Sequence, residues 1–311
     1  MRLPLSLRLG ATSLTLACLL GLASPANSAD CGERGVAVQV LGSGGPAPDV
    51  GRASSGYLVW VDGKARLMID AGGGTFLRFA ESGARIEDLS LIVLTHLHTD
   101  HAGELPNLLK GGFFGDREAP LAIAGPSGSR LFPGIKDYLR SLFDAKQGSF
   151  RYLAGFLDGS DGLFALRAHE LPAAKGRRAS LELPDGITLD SVGVEHGPVP
   201  ALGLRVRVGG KRIAFSGDQN GDNPAFAELA RGADLLIMTH AIPEAADPAA
   251  ARLHARPSEI GALAERAGVG RLLLSHLMRR SLDHLDASLA SIRARYPGPV
   301  AVAADLQCLP L

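Results

Sequence analysis

Short apolar runs, each closed by a polar or glycine-rich turn, recur along the chain from residue 36 onward. Residues 36–41 and 57–61 are rich in β-branched and aromatic side chains and read as strands. Asp62-Gly63-Lys64 is a hairpin turn into a further strand over 65–69. The pattern returns at 89–94, 201–208, 211–215, 234–238 and 271–274, with Gly209-Gly210 joining the second and third of these as another hairpin. Between the strands, apolar positions at helical spacing predict helices over 75–82 and 258–267, and an amphipathic stretch lies near 135–143. Residues 110–170, punctuated by Gly and Pro, are the least regular part; helices, loops and the pocket walls are expected from them. The alternation predicts an α/β protein with covered sheets and leaves the number of sheets open.

The first thirty residues follow a different pattern. Arg2 and Arg8 precede an apolar run over about 9–23, and Pro25-Ala26-Asn27-Ser28-Ala29 follows. That is the layout of a secretory signal peptide over residues 1–29, with cleavage after Ala29 or, as the alternative, Ser28. The run is shorter than the roughly 20 residues a bilayer span requires, which makes an anchor the weaker reading. Thr15, three positions before Cys18, fits a lipoprotein signal poorly. A periplasmic or secreted protein is expected, with no membrane attachment after cleavage. The remainder is long enough for one large domain or two small ones; no repeat or polar linker divides it, so a single domain over 30–311 is expected.

Charge and cysteine content narrow the function. The chain has 32 basic and 32 acidic residues, and no stretch is dominated by Lys and Arg. A long nucleic acid held on a basic surface is therefore not expected, whereas a small-molecule substrate fits. The oligomeric state stays open, a homodimer among the options. Cys31 and Cys308 survive maturation near the two ends of the chain. In an oxidising compartment they are expected to pair, closing a very long loop; two free thiols are the alternative. Neither lies near the histidine motifs, so a thiolate metal ligand is not expected.

The chemistry is concentrated in Thr95-His96-Leu97-His98-Thr99-Asp100-His101, directly after the apolar run 89–94. Three of the chain's nine histidines fall within these few positions, on a loop that a rigid strand can aim at one point. Neutral imidazoles and a carboxylate suit zinc, with Mn²⁺ or Fe²⁺ as alternatives. Three further candidates each follow an apolar strand: His196, Asp218 and His276. Singly, each could be a capping or turn residue. Together with the first motif they make seven ligands, enough for two ions that share a carboxylate and a water.

These motifs resemble the metallo-β-lactamase superfamily. Leu41-Gly42-Ser43-Gly44-Gly45-Pro46, Asp70-Ala71-Gly72-Gly73-Gly74-Thr75, Phe215-Ser216-Gly217-Asp218, and His254 with a helix leading to Leu274-Ser275-His276 resemble its ribonuclease Z-like branch in particular. The resemblance spans about residues 38–277. It implies an αββα sandwich, two mixed sheets flanked by helices, with metals at one edge. Carried over, His96, His98 and His196 would hold one ion and Asp100, His101 and His276 the other, with Asp218 bridging. The tRNA-processing members insert an arm between the residues matching His196 and Asp218; here only a hairpin separates them. Those members also carry a His-Glu pair where this chain has Met238-Thr239, with His240 displaced.

Two ions lower the pKa of a shared water, so hydroxide is available near neutral pH. Asp100 could orient it as well as bind metal. His254 is the candidate for contacting a non-bridging oxygen or protonating the leaving group; an ordinary surface histidine is the alternative. His169, His240 and His284 read as structural or exposed. The leading expectation is an exported dinuclear-zinc hydrolase of small phosphodiesters or related esters, including aryl sulfates. A lactonase or β-lactamase-like amidase is the nearest alternative. A non-catalytic zinc-binding protein is the alternative from another class.

Overall fold

The computed structural model describes residues 31–311; the expected leader, 1–29, lies outside them. The described chain forms β1 (Val36–Gly42), β2 (Gly56–Val61), β3 (Lys64–Ile69), β4 (Leu91–Val93), β5 (Leu121–Pro126), β6 (Leu166–Leu171), β7 (Arg178–Glu182), β8 (Thr188–His196), β9 (Val199–Val208), β10 (Lys211–Phe215), β11 (Leu235–Thr239), β12 (Leu272–Ser275), β13 (Val300–Val302) and β14 (Cys308–Pro310). Seven build one sheet in the order β14-β1-β2-β3-β4-β5-β6, and seven a second in the order β13-β12-β11-β10-β9-β8-β7. Both are mixed. The β1, β2, β3 and β14 pairings are antiparallel, whereas β3 through β6 run parallel. In the second sheet β7 through β10 are antiparallel and β10 through β13 parallel.

Both predicted hairpins form. Their central residues, Asp62-Gly63 and Gly209-Gly210, have φ of 47° and 78°, and 54° and 75°. That is the left-handed pair a tight twisted turn requires, and Asp and Gly tolerate it.

Three apolar layers hold the sandwich. Val40, Leu67, Ile69 and Val93 of the first sheet pack against Leu202, Leu204, Ile213, Phe215 and Ile237 of the second. The first sheet's other face, through Leu58, Met68 and Ile92, lies under Phe79, Leu108, Leu139 and Phe143. Those four come from helices Thr75–Glu81, Leu105–Gly112 and Ile135–Phe143. The second sheet's other face, through Leu236, Met238, Leu272 and Leu274, is covered by Phe226, Ile260, Leu263 and Ile292 of helices Pro224–Leu229, Pro257–Ala267 and Leu285–Arg293. Burial on both faces explains why β4, β11 and β12 read as unbroken apolar runs. Each such Leu or Ile contributes roughly 1.5–3 kcal/mol by leaving water. The expected αββα sandwich is what forms.

Residues 110–170 differ from expectation, for they contain two strands. β5 ends in Gly125-Pro126, and β6 is an edge strand with partly exposed polar side chains, so neither carries a plain apolar pattern. Cys31 and Cys308 are joined in a disulfide, with Cα atoms 5.6 Å apart.

Candidate metal centre

Every site residue leaves the same edge of the sandwich. The segment after β4 carries His96 and His98, and Thr99–Ala102 is a helical turn holding Asp100 and His101. This turn replaces the expected plain loop. His196 ends β8, Asp218 follows β10, and His276 follows β12. Two hydrogen bonds tie the sheets together close by. Leu202 N–H donates to the Thr95 carbonyl at 2.9 Å, and Tyr57 donates its hydroxyl to Ser275 Oγ at 2.8 Å.

Hydrogen bonds on the outward ring nitrogens fix how the imidazoles point. Thr95 Oγ1 gives its proton to Asp70 Oδ2 at 2.9 Å, so it accepts from His96 Nδ1 at 3.2 Å. His196 Nδ1 donates to the Leu253 carbonyl at 2.9 Å. His101 Nδ1 donates to Asp70 Oδ2 at 2.8 Å, while Asp70 Oδ1 accepts the Thr95 amide at 2.6 Å. The opposite nitrogens of His96, His101 and His196 are thereby left as inward-facing lone pairs.

Two clusters result. In the first, His98 Nδ1 lies 3.1 Å from His96 Nε2 and 3.3 Å from His196 Nε2. Tetrahedral zinc with bonds of about 2.0–2.1 Å separates its nitrogen ligands by about 3.3–3.4 Å, so the spacing fits. In the second, Asp100 Oδ2 lies 3.1 Å from His276 Nε2 and 3.5 Å from His101 Nε2. Asp218 stands between them: Oδ1 is 3.6 Å from His101 Nε2, and Oδ2 is 3.3 Å from His276 Nε2 and 3.7 Å from His196 Nε2. His101 Nε2 and Asp218 Oδ1 are buried without a hydrogen-bond partner. An unsatisfied buried polar atom costs about 1–3 kcal/mol, which a cation between the clusters would relieve. Donor type, spacing and orphaned atoms all fit divalent metal.

The electrostatics agree. Burial, reinforced by the neighbouring His101, holds His96 well below the usual histidine range, the neutral form a ligand requires. Burial lowers His98 too. Burial alone would raise Asp218, but His276, His101 and His254 outweigh it and hold the carboxyl well below the ordinary range. For His101 burial is likewise outweighed, by Asp218, Asp70 and Asp100, which lift it to about 9.

The backbone accommodates this crowding. His276 adopts φ 56°, a left-handed conformation costly for histidine. Its ring lies against Gly45, where a Cβ would come within 2.8 Å of His276 Cε1. Asp305 braces the same segment by accepting from Ser43 N (3.0 Å), Ser43 Oγ (2.8 Å) and Ala53 N (2.7 Å).

All seven sequence-predicted ligands meet here. His254 joins them, buried, with Nδ1 3.8 Å from Asp218 Oδ2. Its imidazole is held down to about 4, chiefly by burial. With His196 and Asp218 it makes a further converging triple. His240 is buried outside both clusters, His169 is half-buried on β6, and His284 is exposed. The pocket walls, expected from residues 110–170, come from elsewhere. Pro46, Leu97, Leu253, Met278 and Arg280 line an open cavity of about 510 Å³ above the clusters. Residues 110–170 instead form β5, β6 and the cover of the first sheet. Asp70 was missed as a functional residue because it opens a glycine-rich turn. Its place at the end of β3, matching the other strand-end ligands, was the available signal.

Two seven-stranded mixed sheets between helical layers, with this centre at one edge, define a metallo-β-lactamase fold. The short form of human tRNase Z superposes with a TM-score of 0.67 at 22% identity, over 88% of this chain and all of that one. A diphosphatase from the PhnP family gives 0.63 at 19%, over 89% and 98%. A model of the β-lactamase superfamily domain matches residues 65–277. Ribonuclease Z of Mycolicibacterium paratuberculosis is 30% identical over 288 residues, 87% of this chain and 96% of the relative. The chain belongs to the β-lactamase superfamily, among the homologues of ribonuclease Z.

Proposed function

We propose that this metallo-β-lactamase-fold hydrolase is an exported dinuclear-zinc enzyme that cleaves small phosphodiesters or related esters, aryl sulfates included. The observation that carries the reading is the position of Asp218. One carboxylate stands within 3.3–3.8 Å of four imidazole nitrogens, those of His101, His196, His254 and His276. Two divalent ions bound there would supply an acidified water and offset charge developing on a substrate oxygen. His96, His98 and His196 would hold one ion, and Asp100, His101 and His276 the other. Asp218 serves both. Asp100, 3.1 Å from His276 Nε2, would be the carboxylate available to orient an attacking water. His254, neutral at working pH, would donate a hydrogen bond to a non-bridging oxygen; only in its protonated form would it pass a proton to the leaving group and return to neutral imidazole.

The substrate class draws on relatives named as a ribonuclease and a diphosphatase, both of phosphate-bond chemistry. Small size is supported by the even charge balance and by the hairpin β9–β10, which occupies the interval from His196 to Asp218 where an arm would stand. The Cys31–Cys308 disulfide supports an oxidising compartment.

A panel of bis(4-nitrophenyl) phosphate, 4-nitrophenyl sulfate, an acyl-homoserine lactone and a cephalosporin tests the reading. The phosphodiester or the sulfate should be turned over fastest. Turnover of the lactone or cephalosporin alone would replace it with the lactonase or amidase alternative.

A further inference from the structure

Arg280 lines the cavity yet belongs to neither ligand cluster. Its Nε donates to the carbonyl of Ala241 at 2.7 Å, and Ala241 is fully buried just after β11. The guanidinium is thus held at its base, with both terminal nitrogens left over. Among the described residues no carboxylate is in ion-pair reach of it. Asp247 is near enough for the Arg280 charge to act on it, but forms no ion pair with it; its Oδ1 is engaged by the amides of Ala249 and Ala250, at 2.8 and 3.0 Å. The adjacent Arg279, by contrast, pairs with Asp283 at 3.3 Å and points into solvent. Arg280 also acts electrostatically on His254, so its charge reaches the reacting end of the cavity. Apart from Thr99 and the centre itself, the remaining wall, Pro46, Leu97, Leu253 and Met278, is apolar. An apolar wall ending in an unpaired, oriented guanidinium complements an organic anion.

We propose that Arg280 is a specificity-determining residue that binds an anionic oxygen of the substrate, making the site selective for anionic over neutral esters. The inference rests on the ester-hydrolase reading above. A planar fork with two free terminal nitrogens matches the paired oxygens of a phosphate, sulfate or carboxylate, and a lysine cannot reproduce that fit.

Two readouts on zinc-loaded protein test it. Calorimetry with phenylphosphonate, which cannot be hydrolysed, should show binding weakened about tenfold in Arg280→Met, and by less in Arg280→Lys, at unchanged zinc content. The ratio of kcat/KM for bis(4-nitrophenyl) phosphate to that for 4-nitrophenyl acetate should fall about tenfold in Arg280→Met. Unchanged phenylphosphonate affinity in a fully loaded variant would overturn the assignment, as would an unchanged ratio. A wild-type enzyme inert to both esters, whose phenylphosphonate binding still depends on Arg280, would overturn the ester-hydrolase reading and support the anion site.

Discussion

His101 and Asp70 form a buried pair: the ring's Nδ1 donates to the carboxylate at 2.8 Å while its Nε2 faces Asp100 and Asp218. The contact fixes both the tautomer and the plane of the imidazole. In Asp70→Ala, one of the two metal sites should lose about 10–100-fold in affinity, the usual effect of removing such an orienting partner. Competition with a chromogenic chelator measures it. Two sites of unchanged affinity would show that Asp70 only caps Thr95.

His254 separates catalysis from metal binding. His254→Ala should keep both ions and lose about 10²–10⁴ in kcat on a substrate with a poor leaving group. The loss should shrink for nitrophenolate, which needs little protonation. Loss of metal in the variant would instead make the triple of His196, Asp218 and His254 a ligand set.

The disulfide should matter for stability. Cys31 and Cys308 lie 277 residues apart in sequence, and opening so long a loop costs about 2–5 kcal/mol. β14, which carries Cys308, pairs with β1, and Asp305 just before it holds Ser43 and Ala53. Urea unfolding with and without reductant should show that loss. Alkylation of both thiols in exported, unreduced protein would refute the pairing.

Stability should also fall with acid through His240. Burial holds its imidazole down to about 4, whereas an unfolded histidine titrates near 6.5. The unfolded chain therefore takes up a proton that the fold refuses. The contribution is complete above about pH 6.5 and lost at roughly 1.4 kcal/mol per pH unit down to about 4. Relative to the wild type, His240→Leu should unfold with a shallower pH dependence in that window. Parallel curves would mean that His240 is hydrated in the fold.

The legible parts of the sequence were those where one physical demand dominates. Strands buried on both faces, such as β4 and β12, announce themselves as apolar runs, and ligands placed just beyond them inherit that clarity. The edge strands β6 and β7 half face solvent, so their polar positions blurred the pattern. The cavity walls were illegible for another reason. Pro46, Leu253 and Arg280 are far apart in sequence and meet only because the connections that follow β1, β11 and β12 share one edge. Asp70 shows the intermediate case: its strand-end position was visible, but not its partner 31 residues away.

The central claim is one carboxylate serving two ions, and metal content tests it most directly. Elemental analysis of active, purified protein should give close to two equivalents of transition metal, chiefly zinc, and Asp218→Ala should lower both occupancies together. One equivalent or none in active protein would contradict the bridged centre, as would an Asp218→Ala variant that keeps one site fully loaded.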